Sequence, residues 1–262
     1  MSNKFKTLKS FSNLFEAELV KELLEENNFT INLLNEYTVS NLPGVAGNDF
    51  MMIELQVIEE EYEEAQDFIE DIGDSYITDR MLKETGAKLE GHFLLTSGKH
   101  SDQYFEKIKI IQHPEKCTTI CKALAERFAD YDIDIVIGPA YGAIVLGFEV
   151  GKYLQKQFAF TQRSDGKMTF RSGFDIEPGM KAIIIEDVTT TGGSIFEVME
   201  LLKERGVQCV GVGLLVDRSN GTIDFGVPVE ALLTVDAKSW EAEECPLCEQ
   251  NIPLTKPGRS DK

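Results

Sequence analysis

The apolar positions of the first quarter of the chain alternate between strand and helix periods. Phe5 to Leu8 is strand-like, and Leu14 to about Glu26 puts Leu19, Leu23 and Leu24 on one helical face. Asn13 and Glu16 have the spacing of a helix-capping pair, and Asn27-Asn28 ends the helix. Thr30 to Leu34 reads as a second strand, followed by a polar loop containing Pro43-Gly44. Phe50 to Ile58 alternates as a third strand. Glu60 to Ile72 is then an acidic helix with Ala65, Phe68, Ile69 and Ile72 facing inward. The order β-α-β-β-α is most of a ferredoxin-like α+β unit. The run Glu59-Glu60-Glu61-Tyr62-Glu63-Glu64 fits a solvated helix face better than an acidic binding surface.

A break at Ile72-Gly73-Asp74-Ser75 predicts two domains: residues 1–73, whose role the sequence leaves open and which could be regulatory, and residues 75–262. In the second, short apolar runs at Ile133–Ile137, Phe158–Thr161, Ala182–Glu186 and Cys209–Val216 are separated by helical stretches. That pattern predicts an α/β domain with a central, mostly parallel sheet covered on both faces. Ligands of such sheets bind beyond the carboxyl ends of the strands, where strand order reverses.

Charge narrows the partners. Acidic residues outnumber basic ones by 45 to 26, for a net charge of −19, and such a surface repels nucleic acid. A small phosphorylated ligand is still compatible, because backbone amides, a few cations and one divalent ion can build a positive pocket inside an acidic protein. No stretch approaches the roughly 18 unbroken apolar residues of a membrane helix. The opening Met1-Ser2-Asn3-Lys4-Phe5-Lys6 lacks the pattern of a secretory signal, so a cytoplasmic location is expected.

Of the five cysteines, Cys117, Cys121 and Cys209 read as small buried hydrophobes. Cys245-Pro-Leu-Cys248 is a lone C-x-x-C, readable as half a zinc site, a redox pair or two packed thiols. A structural zinc needs four ligands, so under the first reading the other two are expected from a second subunit.

The strongest chemical signal is Lys181-Ala-Ile-Ile-Ile-Glu186-Asp187-Val188-Thr189-Thr190-Thr191-Gly192-Gly193-Ser194-Ile195. An apolar strand ends in two acids and passes through a Thr/Gly loop into a helix. Paired acids at a strand mouth can accept hydrogen bonds from vicinal ribose hydroxyls or hold a hydrated magnesium ion. The glycines admit close backbone approach, and the first helical amides with the threonines and Ser194 offer donors to a phosphate. An ordinary strand-to-helix turn with a capping Ser or Thr accounts less well for two adjacent acids. No Lys follows the glycines as in a Walker A loop, and no G-x-G-x-x-G occurs.

This segment resembles the phosphoribosyl pyrophosphate (PRPP) loop of type I phosphoribosyltransferases. Gly91-His-Phe-Leu-Leu-Thr-Ser97-Gly98-Lys99-His100-Ser101-Asp-Gln-Tyr104-Phe105 resembles the first strand-turn-strand of orotate phosphoribosyltransferases. Leu215-Val216-Asp217-Arg218 resembles their strand end that presents an orotate-binding arginine. The likeness runs from about Ile77 to Arg259. It includes the Cys245 pair and Ile252-Pro-Leu-Thr-Lys256-Pro-Gly, which look like one bacterial and archaeal branch. Residues 4–73 resemble a small family of bacterial domains described only as signal-transducing, on the strength of Phe5-Lys-Thr-Leu8, Asn13 and Glu16-Ala17-Glu18-Leu19.

The resemblance implies transfer of phosphoribosyl from PRPP to orotate with Mg2+, giving orotidine 5′-phosphate and pyrophosphate for pyrimidine nucleotide synthesis. Under it, PRPP is bound by Glu186, Asp187, Val188, Thr189, Thr190, Thr191, Gly192, Gly193, Ser194, Tyr141, Gly142 and Lys99. Orotate is bound by Thr190, Arg218, Tyr104 and Phe105, and Asp187 meets magnesium, directly or through water. The basic stretch Thr161–Gly173 corresponds to a mobile catalytic loop reaching a neighbouring subunit's site, so Lys167, Arg171 and Arg163, with Asp187, are the expected catalytic residues of a homodimer. On composition alone the stretch is also compatible with an exposed hairpin, and Gly138-Pro139-Ala140-Tyr141-Gly142-Ala143 with a simple connection. Relatives commonly carry lysines where this chain has Thr96 and Gly142, and Lys99 is the expected stand-in for one of them. Glu186 stands where Asp is common, keeping the charge and lengthening the reach. Two other readings stay open: a phosphoribosyltransferase for a purine or another base, and a regulator that binds PRPP without turnover.

Overall fold

The computed structural model describes residues 4–11, 14–38, 50–95, 97–106 and 108–257. Asn13 of the capping pair, the Pro43-Gly44 loop, Thr96, Arg259 and the side chain of Ile72 lie outside the described residues. The chain forms two compact units, 1–77 and 78–262.

In the first unit β1 (Phe5–Phe11), α1 (Leu14–Glu26), β2 (Ile31–Thr38) and β3 (Phe50–Ile58) lead into α2 (Tyr62–Glu84). β3 is central and antiparallel to both neighbours, so β1 and β2 run parallel on either side of it, a split β-α-β arrangement. Alternate residues Ile53, Leu55 and Val57 of β3 meet Ala17, Val20 and Leu24 of α1 and Ala65 of α2 in one core, with Phe68 and Ile69 packed against it. Leu19 and Leu23 are buried as well. The acidic run is solvated at Glu59, Glu60, Glu63 and Glu64, while Glu61 accepts a hydrogen bond from the Thr30 amide at 2.6 Å.

The sequence predicts that the acidic helix ends at Ile72. Instead, helical structure resumes and continues to Glu84, interrupted at Gly73 by a backbone conformation (φ 56°, ψ 173°) that glycine alone tolerates well. The boundary between the units falls in the later stretch of α2, where Thr78, Met81 and Leu82 are buried.

The second unit begins with the hairpin β4 (Lys88–Leu94) and β5 (His100–Phe105), followed by α3 (Ile108–Ile111) and α4 (Pro114–Glu126). Then come β6 (Ile135–Pro139), α5 (Ala143–Leu154), β7 (Gln157–Ser164), β8 (Lys167–Phe170), β9 (Lys181–Thr189), α6 (Gly193–Glu204), β10 (Gln208–Asp217) and β11 (Val229–Thr234). The chain closes with β12 (Ser239–Trp240) and α7 (Pro246–Glu249).

The main sheet has the order β11-β10-β9-β6-β7-β8 and is parallel except for β8, the return strand of a hairpin from β7. Four successive residues of β9, Ala182 to Ile185, are fully buried, because helices cover both faces. Ile184 packs with Ile195, Val198 and Leu202 of α6. Close packing on α5 depends on Gly138, where a Cβ would lie 2.5 Å from the Ala143 carbonyl oxygen. From β6 the chain order runs outward to β7, and from β9 it runs the opposite way to β10 and β11. The switch point therefore lies between β6 and β9, and the loops after those strands border the crevice where ligands of such sheets bind.

A second, antiparallel sheet of order β12-β5-β4 joins the hairpin to the C-terminal segment. Cys117 and Cys121 are buried as expected, but Cys209 is only half-buried. Its β10 position precedes a register shift, and its thiol donates to the Gly211 carbonyl at 3.6 Å. Among the described residues no helix is long and apolar enough to cross a membrane.

Truncating Ile184 to Ala removes three carbons from a closed core and should cost about 2–5 kcal/mol. Chemical denaturation of the full chain should show the transition of the second unit moving to lower denaturant, with that of the first unit unmoved.

Candidate active site

The loop from β9 to α6 builds a cavity of about 320 Å3. It is lined by Glu186, Val188, Thr189, Thr190, Thr191, Gly192, Gly193, Ser194 and Ile195, by Glu197 further along α6, and by Arg163 from β7. Helix α6 starts after Gly192 with no side chain capping it, so the amides of its first turn keep their donor capacity toward the cavity. Aligned peptide dipoles add positive potential there, which favours an anion. The Thr189 hydroxyl, buried, accepts the Gly192 amide at 3.1 Å and closes the loop, while Thr190, Thr191 and Ser194 stay exposed. Gly192 holds φ +74°, and a Cβ there would stand 2.8 Å from the Phe225 ring. Both the conformation and the space demand glycine.

Of the two acids, Glu186 lines the cavity and is 8% exposed. Asp187 is 1% exposed and is not among the lining residues, and its Oδ1 accepts the Val188 amide at 2.6 Å. Carboxylate oxygens of this kind are the hard donors magnesium takes.

The stretch 161–173 contains the hairpin of β7 and β8, joined through Asp165 (φ 52°) and Gly166 (φ 79°), with Ser164 opposite Lys167. Positive φ at both central residues is the two-residue hairpin turn that matches strand twist. Arg163, Lys167 and Arg171 are all exposed. Of the three, Arg163 reaches the cavity wall, bonded to Glu197 of α6 at 2.6 Å and to the Gly166 carbonyl at 3.2 Å. Tyr141 is 85% exposed beyond β6, and neither it nor Gly142 lines the cavity. Lys99, also off the cavity wall, is ion-paired with Glu241 at 3.0 Å.

Beside this loop, β10 ends at buried Asp217. Its carboxylate accepts the Ser219 amide (2.7 Å), the Ser219 hydroxyl (2.6 Å) and the Gly221 amide (2.9 Å). Those bonds fix the turn that holds Arg218, whose own amide donates to the Thr189 carbonyl at 2.9 Å. The Arg218 guanidinium lies over the Phe105 ring, 5.6 Å from its centroid, and 3.5 Å from the Ser101 hydroxyl. Its Nε is buried with no hydrogen-bond partner among the described residues. Burial pulls the Arg218 pKa below its ordinary value, with the charge of Asp102 acting in the opposite direction. Tyr104 packs against Phe93 with ring centroids 5.8 Å apart and planes tilted by 41°.

The Thr/Gly loop with its uncapped helix start and a half-buried arginine over an aromatic ring thus adjoin through one backbone hydrogen bond. Residues 108–242, just over half the chain, match the phosphoribosyl transferase domain. A protein of Caldicellulosiruptor bescii named orotate phosphoribosyltransferase is 48% identical over 189 residues, covering 72% of this chain and 98% of its own length. One of Desulforamulus reducens with the same name is 49% identical over 178 residues, 68% of this chain and 93% of its own. The chain belongs to the orotate phosphoribosyltransferase family. The crystal structure of an orotate phosphoribosyltransferase from Aeropyrum pernix shares the fold, with a TM-score of 0.51 at 23% identity, over 60% of this chain and 92% of that one. Residues 5–73 match a family described as "Putative prokaryotic signal transducing protein".

For an orotate phosphoribosyltransferase, sequence reading anticipates the strand end, Thr/Gly loop and helix start over residues 186–194, and of the residues it names there all but Asp187 line the cavity. It misses Glu197, Asp217 and Phe225. Glu197 was legible only as an exposed helix residue, and Phe225 as one apolar residue in a Gly/Pro-containing loop. The Asp-Arg-Ser-Asn-Gly run after β10 does carry the signal of an Asx-type turn for Asp217.

Replacing Gly192 with Ala forces a positive φ and a clash with Phe225, costing about 1–3 kcal/mol. Calorimetric titration with PRPP should show affinity reduced at least tenfold, while Gly193→Ala, with no backbone atom near its Cβ, should bind PRPP more tightly than Gly192→Ala does.

Proposed function

We propose that the chain transfers the phosphoribosyl group from PRPP to orotate in the cytosol, giving orotidine 5′-phosphate and pyrophosphate, a step of pyrimidine nucleotide synthesis. The observation that carries this reading is the uncapped start of α6 opening on the cavity lined by Glu186, next to Arg218 with its buried, unpartnered Nε. The 5′-phosphate would take the loop amides and the hydroxyls of Thr190, Thr191 and Ser194. Glu186 would accept bonds from the ribose hydroxyls. Arg218 would pair with the carboxylate or carbonyl edge of orotate, whose ring sits by Tyr104 and Phe105.

In the reaction the bond from C1 of the ribose to the pyrophosphate oxygen breaks, and the oxygen leaves with the electron pair. N1 of orotate bonds to C1, and its proton passes to the departing pyrophosphate. The sugar is oxocarbenium-like midway, so carboxylates near the ribose stabilise it and cations near the diphosphate stabilise the leaving group. Magnesium suits the oxygen donors of Glu186 and Asp187, and would neutralise charge on the diphosphate. Arg163, Lys167 and Arg171 would exclude water and neutralise pyrophosphate as the hairpin covers the site.

A pyrophosphate-release assay offering orotate, uracil, adenine and guanine tests the reading. Turnover with orotate alone is expected, and turnover with a purine, or with no base despite PRPP binding, sinks it. Arg218→Ala should lower kcat/KM for orotate by roughly 10–100-fold, the worth of a charge-assisted bond of about 1.5–3 kcal/mol.

A twofold dimer in which each hairpin serves the other subunit's site is part of this proposal. Mixing inactive Lys167→Ala and inactive Glu186→Gln proteins should then restore roughly a quarter of full activity, since half the dimers hold one intact site. Restoration absent after verified subunit exchange means the hairpin acts within its own subunit.

A further inference from the structure

The C-x-x-C of the tail was expected to find its remaining ligands, if it binds metal, in a second subunit. The fold corrects this, because two histidines of the same chain stand beside it. Cys245, Cys248, His92 and His100 offer ligand atoms that all lie within 4.8 Å of one another. We propose that these four residues bind a zinc ion that fastens the C-terminal segment to the β4–β5 hairpin, independently of which base the enzyme uses.

The topology explains the convergence. Leu94 pairs with His100 across the hairpin, and His92, in the irregular stretch of β4 just before Phe93, brings its ring against that of His100, with centroids 4.8 Å apart. Cys245 precedes α7 and accepts the Cys248 amide at 3.1 Å, and this tight turn brings the two thiols together. Zinc bonds of about 2.3 Å to sulfur and 2.0–2.1 Å to nitrogen give tetrahedral edges of roughly 3.3–3.8 Å. The observed separations are 3.5 Å from Cys245 Sγ to His92 Nε2, 3.7 Å from Cys248 Sγ to His92 Nε2 and 3.3 Å from Cys248 Sγ to His100 Nδ1. His92 Nε2 and His100 Nδ1 are closer, at 2.9 Å, and need to part by a few tenths of an ångström to accept the ion.

Burial and orientation also fit. His92, His100 and Cys245 are 5% exposed or less, so the polar atoms they bring together have little recourse to water. His92 Nδ1 lies 2.7 Å from the Ile252 carbonyl. Donating there fixes its proton on Nδ1 and leaves the Nε2 lone pair aimed at the cluster, the arrangement by which a backbone carbonyl orients a metal-bound imidazole. Two thiolates and two imidazoles are a closed donor set for zinc with no open position, which marks a structural rather than a catalytic site.

The site would tie together strands already in contact. The Thr255 amide donates to the His92 carbonyl at 2.8 Å, and the Leu94 amide to the Thr255 carbonyl at 2.9 Å. Next to His100, Ser101 is fully buried, donates to the Lys238 carbonyl at 2.8 Å and lies near Arg218. An ion at this point would stiffen the strand whose Ser101 hydroxyl lies 3.5 Å from the Arg218 guanidinium.

The test is metal analysis of the full chain, purified without a histidine tag or chelator. One zinc per chain is expected, retained in Glu186→Gln, which alters the phosphate cavity, and absent from Cys245→Ser/Cys248→Ser. Because the double variant could fail to fold, cobalt replacement in the unmutated protein gives a second readout. It should show the absorption of tetrahedral cobalt with thiolate ligands, and both tail cysteines should be protected from alkylation until the metal is removed. Zinc well below one per chain after reconstitution under reducing conditions overturns the proposal. A Cys245–Cys248 disulfide in the active protein, found by mass spectrometry, does the same and assigns the pair to redox chemistry.

Discussion

The amides at the start of α6 have no partners within the helix and receive none from a capping side chain. Leaving backbone donors in that state costs free energy unless water or a ligand takes them, and here they open on a cavity of threonine and serine hydroxyls. The surrounding sequence is arranged to keep them available. A strand buried from Ala182 to Asp187 delivers the chain to the loop, Thr189 closes it from inside, and glycine at 192 allows the left-handed step that begins the helix. An acidic protein thereby presents a local positive field without spending many cations on it.

The opposite half of the site is made by different means. There the hairpin and the tail form a small antiparallel sheet outside the main one, and Arg218 is held over Phe105 by the turn that Asp217 organises. A two-stranded hairpin is marginal by itself. This one gains from the pairing of β12 with β5 and from Thr255 beside β4, and a metal in the histidine and cysteine cluster would add a link that hydrogen bonds between strand edges do not supply.

What could be read from sequence divides along physical lines. The apolar run Ala182–Ile185, the acids after it and the Thr/Gly loop are local in the chain, so strand, turn and helix start were all legible there. The β-α-β-β-α order of the first unit was legible for the same reason, since each element carries its own period. The continuation of α2 past Gly73 was not, because a glycine with positive φ is a stop signal on its own, and helix beyond it depends on burial of Thr78, Met81 and Leu82. Pairings distant in sequence were out of reach. Nothing near Cys245 announces His92, and nothing near Arg163 announces Glu197. The stretch 161–173 reads from sequence either as a mobile loop or as an exposed hairpin, and only the ion pair of Arg163 with Glu197, distant in the chain, shows which cation meets the cavity wall.

The contact of Phe225 with Gly192 joins regions that a list of binding residues would keep apart. Arg218 and Phe225 lie on the same connection between β10 and β11, so one segment carries the half-buried guanidinium at its beginning and packs against the turn at Gly192 further on. Reshaping that connection around Arg218 would disturb the turn at Gly192 as well. Under the proposed reaction, acceptor choice is therefore mechanically tied to donor binding through the packing of Phe225 on Gly192.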